Sequence, residues 1–283
     1  LKKETDPKIW SAIILALGGF NREAFPQEDR EEIVRMYRDW PDPGVHGAAQ
    51  WTLRQWGLFP KESSLATGNV EGYRRWYINR QGQAMVVIAD VTSPLEVEAM
   101  FERIKSELGP VAALVNNAAG EGSQGRVEHL DADATRRMFE VNVLGPFLCT
   151  QAAVKQMSTR LGGVGGAIVN ISSAAARHGG AGHYVDYAAS KAAMDAMTYG
   201  HAVEQADAGI RVNCVRPGTV WTEMNRRYME RDPDYAHRII GKTPLARAAE
   251  ESEIANGVLW LLSDEASYTT GAILDISGAM VAP

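Results

Sequence analysis

Cysteine is nearly missing from this chain of 283 residues, which has only Cys149 and Cys214. Both sit in apolar stretches without a Cys-x-x-Cys pair or a nearby cluster of histidines. That argues against a disulfide framework or a zinc site and for ordinary packing in a reducing compartment, so no metal and a cytoplasmic protein are expected. Long apolar runs are missing as well. The stretch Ile9–Leu17 is too short to cross a bilayer, and although Lys2 and Lys3 precede it, Glu4, Asp6 and Pro7 break its entry and no small-residue cleavage site follows. A large excess of either charge is also absent. The net charge of -6 offers no general attraction to nucleic acid or anionic membrane, so neither is expected as a partner. The chain starts at Leu1 rather than methionine, as expected of a fragment or an incomplete reading frame.

What is present is ordinary for a folded protein: 45% apolar and 23% charged residues, with length for one large α/β domain or a domain of about 200 residues with a small companion. The composition changes near residue 84. Five of the seven tryptophans (Trp10, Trp40, Trp51, Trp56 and Trp76) precede it, and most of the Ala-, Val- and Gly-rich apolar segments follow. Within the first part, Asp6-Pro7-Lys-Ile9 with Ala12 and Leu17 recurs 36 residues on (position 6 against 42) as Asp42-Pro43-Gly-Val45 with Ala48 and Leu53. Asp as helix N-cap followed by Pro at the first helical position explains the shared start, because the carboxylate accepts an orphaned amide and proline lacks one. The spacing resembles a HEAT-type helical repeat, with two similarly capped helices as the plainer alternative. Asp42 to Gly57 and Trp76 to Ile88 also resemble the region leading into formylglycine-generating, sulfatase-modifying domains, although no such domain follows. Residues 1–83 are therefore expected to form a small helical segment of separate origin.

From Ala84 onward, short apolar runs alternate with helical patterns. Strands are predicted at Ala84–Ala89, Ala112–Asn116, Ala167–Ile171, Arg211–Val215 and Ala272–Ile276. Helices are predicted at Leu95–Glu107, Asp133–Met157, Tyr187–Ala206 and Glu250–Leu262. This alternation predicts an α/β fold, a Rossmann-like doubly wound parallel sheet with ligands at the carboxyl ends of its strands.

The chemistry concentrates at Tyr187-Ala-Ala-Ser-Lys191. Tyr and Lys at i and i+4 share a helix face, so an ammonium beside the phenol would favour the phenolate and ready it as a general base. Ser173 could hold a substrate oxygen, with Ser172 the less suitable serine. Alone, such a pair is usually a solvated one. Here Asn116-Asn117-Ala118-Ala119-Gly120, Ile168-Val-Asn-Ile-Ser-Ser173 and Asn213-Cys-Val-Arg-Pro217-Gly218 each end a predicted strand at the same sheet edge.

Together with Val141-Asn142-Val143 and the terminal Leu261 to Gly271 stretch, this set resembles the short-chain dehydrogenase/reductase family over about 200 of the 283 residues. The resemblance implies an NAD- or NADP-dependent oxidoreductase acting on a secondary alcohol or ketone. In it, Tyr187 would be the proton donor or acceptor, Lys191 would lower its pKa and hold the nicotinamide ribose, Ser173 would orient the substrate, and Asn142 would support a proton-relay water. Asp90 and Val91 would border the adenine, Asn117, Ala118, Ala119 and Gly120 the adenosine side, and Pro217, Gly218, Val220 and Thr222 the nicotinamide and phosphates. Residues Trp221 to Arg247 occupy the place of the family's substrate lid, and His178 and His183 flank the loop before Tyr187. A homodimer or homotetramer would be common in such a family.

The sequence departs from the family at its start. The glycine-rich turn Thr-Gly-x-x-x-Gly-x-Gly, whose amides bind the cofactor diphosphate, has no match. Ile13 to Phe20 carries only Gly18-Gly19, which reads better as a helix end. The first strand, expected in the sheet centre between Ala84 and Ala112, is missing with it, as is the second-strand end that selects NAD or NADP. An inactive dehydrogenase fragment joined to a helical segment, acting as a binding or scaffold protein or arising as a fusion or assembly artefact, is therefore the second reading.

Overall fold

The structure, a computed structural model, describes residues 13–14, 22–39, 49, 52–53, 56, 87–222, 225, 234 and 240–280. The chain divides into two compact units, Leu1–Val86 and Val87–Pro283. In the first, helix α1 (Gln27–Asp39) buries Ile33 and Met36 at a helical spacing. These join Ile14, Ala49, Leu53 and Trp56 in an apolar core, with Phe25 stacked on Trp56 at 5.3 Å. The buried Thr52 hydroxyl donates to the Ile14 carbonyl at 2.6 Å, so burial leaves it satisfied. Most of the 36-residue pattern, Gly18-Gly19 and Trp76 to Val86 lie outside the described residues.

The second unit is a parallel α/β structure of the expected Rossmann-like kind. Its strands are β1 (Ala113–Asn116), β2 (Gly166–Ile171), β3 (Ile210–Pro217) and β4 (Ile273–Ile276), in the order β1-β2-β3-β4. All three pairings are parallel, with Asn116 opposite Asn170 and Asn170 opposite Cys214. Consequently every strand ends at one edge, where the site is built. Burial on both faces explains why β2 reads as a nearly continuous apolar run. On one face Ile168 and Val212 pack with Val97, Phe101, Ala153 and Met157, and on the other Val169 and Val215 pack with Ile254 and Leu261.

The helices follow local signals. Helix α2 (Pro94–Leu108) starts at Ser93, whose hydroxyl accepts from the Glu96 amide, with Pro94 at its first position. Helix α3 (Ala132–Phe139) is capped by Asp131, which accepts from the Ala134 amide at 2.7 Å. A π-helical turn at Glu140–Leu144 joins it to α4 (Gly145–Met157), so the single helix predicted from Asp133 to Met157 contains a local widening at Asn142. The short α5 (Ala175–His178) precedes α6 (Val185–Gln205), and α7 (Glu251–Leu262) begins with a capping box between Glu250 and Glu253. The Arg211 guanidinium donates to the carbonyls of Leu261, Leu262 and Ser263, neutralising the C-terminal end of α7.

One predicted strand is corrected. Of Ala84–Ala89, residues 84–86 lie outside the described residues, and Val87 to Asp90 is coil rather than strand. A strand needs a ladder partner, and among the described residues β1 pairs only with β2 and forms the sheet edge.

Candidate active site

Four of the expected residues converge at the carboxyl edge of the sheet. Tyr187 and Lys191 lie on one face of α6, with the Lys191 ammonium 5.7 Å from the centre of the Tyr187 ring. Lys191 is only 2% exposed and donates to the carbonyl of Ile171, the last residue of β2, at 2.8 Å. Burial pulls its pKa down to about 8, against an opposing pull from Cys214 and Asp195. Among the described residues the Ile171 carbonyl is the one acceptor of the ammonium's three donors.

Burial raises the Tyr187 pKa, a hydrogen bond with Ser173 partly opposes this, and the nearby Tyr184 and Glu121 push it further up. The Lys191 ammonium lies over the Tyr187 ring while it donates to the Ile171 carbonyl. Ser173 also accepts from the Ala175 amide at 3.1 Å. Ser172, in contrast, is buried and donates to the Lys191 carbonyl, which is a packing role on α6.

Asn142 is fully buried in the π turn. Its amide oxygen accepts from the Gly120 N–H at 2.7 Å, and its nitrogen donates to the Gly120 carbonyl at 3.1 Å and to the Ser190 hydroxyl at 3.0 Å. It therefore clamps the Asn117 to Gly120 loop after β1 onto α6. Asn116, one residue before that loop, donates to Thr150 and Asn170, and Asn170 donates to Thr198, so a buried polar chain ties β1, β2 and α6 together.

The remaining cofactor candidates are more dispersed. Pro217 ends β3, and Gly218 approaches Ser277 so closely that a Cβ would lie 2.8 Å from its backbone. Val220 forms an isolated bridge with Ala249, and the Thr222 hydroxyl accepts from the Asn225 amide. Asp90 accepts from the Thr92 amide and hydroxyl, each at 2.8 Å, in a turn leading to α2, and its hydrogen bonds are local. Val91 packs against Gly145 at the end of the π turn. The lid region Trp221 to Arg247 lies largely outside the described residues.

His178 and His183 stand around Tyr184, at 6.0 Å and 6.3 Å between ring centres, and Tyr184 meets the Tyr187 ring edge-on at 6.1 Å. Burial and nearby Lys242 hold His178 below its ordinary pKa. Sequence reasoning missed Tyr184, Ser190 and Asp186. Ser190, three residues from Tyr187 on the same helix, was legible in principle; Asp186 was not, because its partners come from distant segments.

A family model described as enoyl-(acyl carrier protein) reductase matches residues 74–280. The uncharacterized oxidoreductase YgfF of Escherichia coli is 48% identical over 197 residues, covering 70% of this chain and 79% of that protein. A short-chain dehydrogenase/reductase from Burkholderia xenovorans superposes with a TM-score of 0.67 at 31% identity, over 72% of this chain and 78% of that one. Gluconate 5-dehydrogenase from Burkholderia cenocepacia, in complex with NADP and tartrate, gives 0.63 at 27% identity, over 69% and 74%. The chain belongs to the short-chain dehydrogenase/reductase family.

Proposed function

We propose that the chain is an NAD- or NADP-dependent oxidoreductase that interconverts a secondary alcohol and a ketone, with Tyr187 as the general acid/base. The observation that carries this is the meeting of Tyr187, Ser173 and Lys191 where β2 ends. A solved relative carrying NADP supports the choice of cofactor.

The nicotinamide would supply the hydride or accept it. Lys191 would hold the adjacent ribose, and Asn117 to Gly120, Pro217, Gly218, Val220 and Thr222 would line the rest, with Asp90 and Val91 toward the adenine. The Ser173 hydroxyl would hold the substrate oxygen, and Tyr187 would deliver or take its proton. A raised phenol pKa keeps Tyr187 protonated at neutral pH, the form needed to protonate a ketone oxygen during reduction. Asn142 would hold the loop after β1 and support a relay water.

A second reading is favoured by β1 at the sheet edge among the described residues and by a sequence without the glycine-rich turn. There, residues 84–283 form a non-catalytic dehydrogenase unit joined to a helical segment. Titration with NADH and NADPH, followed by nicotinamide fluorescence, separates the two. Saturable binding, with ketone reduction lost at least about a hundredfold in Tyr187→Phe, establishes the enzyme. A folded chain that binds neither nucleotide overturns it.

A further inference from the structure

Asp186, immediately before Tyr187, is 6% exposed in the first turn of α6, and among the described residues it has no ion-pair partner. A buried carboxylate is costly unless hydrogen bonds replace its water. Three do so here. One oxygen accepts from the Ser123 amide at 3.2 Å and the Thr135 hydroxyl at 3.1 Å, and the other accepts from the Tyr187 amide at 2.8 Å. The Tyr187 amide is one of the orphaned donors at the helix start, which Tyr184, the residue before the helix, does not cap with its side chain. The helix dipole favours a negative charge at this end.

The partners come from two other elements. Ser123 follows the loop after β1, and Thr135 lies on α3. Gly122 is pressed against the same carboxylate, where a Cβ would collide with its oxygens. The other end of that loop, Gly120, is held by Asn142, which donates to Ser190, and the Ser190 hydroxyl donates to the Tyr187 carbonyl at 2.8 Å. A circuit of hydrogen bonds and short chain segments thus leaves Tyr187 through its amide and returns through its carbonyl, passing through Asp186, Ser123, Gly120, Asn142 and Ser190.

We propose that Asp186 is a positioning residue that sets Tyr187 over the site by tying the first turn of α6 to the loop after β1. This role deepens the proposed function and rests on it for its catalytic meaning, but its geometry is testable without turnover. Asp186 does not touch the reacting atoms and acts through the backbone of its neighbour.

The test uses the full chain with tyrosine isotope-labelled at Cζ, the Tyr187 resonance being the one lost in Tyr187→Phe. Asp186→Ala should shift that resonance beyond its linewidth while the circular dichroism of the folded chain is kept. Asp186→Asn should give a smaller shift, because its amide oxygen can still accept from the Tyr187 amide while its nitrogen faces the Ser123 N–H. Thr135→Val, which removes one donor, should also shift it. Where the parent reduces a ketone, Asp186→Ala should lower kcat on the order of tenfold with little change in KM, the mark of lost orientation. An unmoved Tyr187 resonance in a folded Asp186→Ala overturns the proposal. If that variant does not fold, an unmoved resonance in both Asp186→Asn and Thr135→Val overturns it. The resonance is read without cofactor or substrate, so a parent lacking turnover would sink the proposed function and leave this result standing.

Discussion

The side-chain amide of Asn142 donates to the hydroxyl of Ser190 at 3.0 Å, across the boundary between the π turn and α6. Asn142→Ala would orphan that link together with the N–H and carbonyl of Gly120, all in a buried setting. The cost should be about 3 kcal/mol, at the upper end for unpaired buried groups, read as a lower urea midpoint at unchanged slope. Asn142→Asp should be nearly as damaging, because its second oxygen would face the Gly120 carbonyl.

Lys191 gives a pH dependence with a definite sign. Its folded pKa of about 8 lies below its ordinary 10.5, so the unfolded chain binds the proton more tightly. Stability should rise with pH above 8 through this group, by about 3 kcal/mol over the full window. Above 9 the trend is opposed by Cys149 and Cys214, whose pKa values burial raises to about 11 and about 12 and which therefore ionise first in the unfolded chain. The difference between the parent and Lys191→Met isolates the lysine. Parallel stability curves for the two proteins from pH 8 to pH 9 would refute the assignment.

Asp195 and Arg216 form an ion pair at 2.7 Å with side chains 12% and 11% exposed. Arg216→Met should cost roughly 3–5 kcal/mol, because it strands the Asp195 carboxylate beside the Cys214 thiol and leaves Asp275 without this partner. Adding Asp195→Leu should recover much of the loss in the same urea experiment, since an apolar pair removes the stranded charge. A double variant as unstable as the sum of the singles would show that the pair is not the source.

Gly218→Ala should lower stability by about 1–3 kcal/mol, as its Cβ would lie 2.8 Å from the Ser277 backbone and force the ends of β3 and β4 apart. The displaced loop should also weaken nucleotide binding in the fluorescence titration. A drop in thermal midpoint with unchanged nucleotide affinity would place Gly218 outside the site.

Much of the second unit was legible because its local signals agree. The Ser93-Pro94 start and the Asp131 cap opened helices close to where they were expected, and the β-branched runs of β2 and β3 became buried strands. The π turn at Asn142 was not legible. An α-helical pattern continues through it, and the widening answers to Gly120 and Ser190, which are distant in sequence. The expected strand at Ala84–Ala89 had the right residues, but strand formation is a property of pairs, and among the described residues Val87 to Ala89 has no ladder partner. Most of the 36-residue pattern lies outside the described residues, so the repeat remains an expectation from sequence.

The amino-acid order by itself determined the parallel α/β alternation, the edge at which the strands end, and the appearance of Tyr187, Lys191 and Ser173 there, because these follow from local periodicity and short spacings. Only the tertiary structure decided the electrostatics. Burial raised the phenol of Tyr187 and lowered Lys191, Ile171 drew the ammonium to the end of β2, and Asp186 gained its three partners, two of them on segments far from it in the chain. A pKa and a hydrogen-bond circuit depend on which distant groups exclude water from the same place, and packing alone sets that.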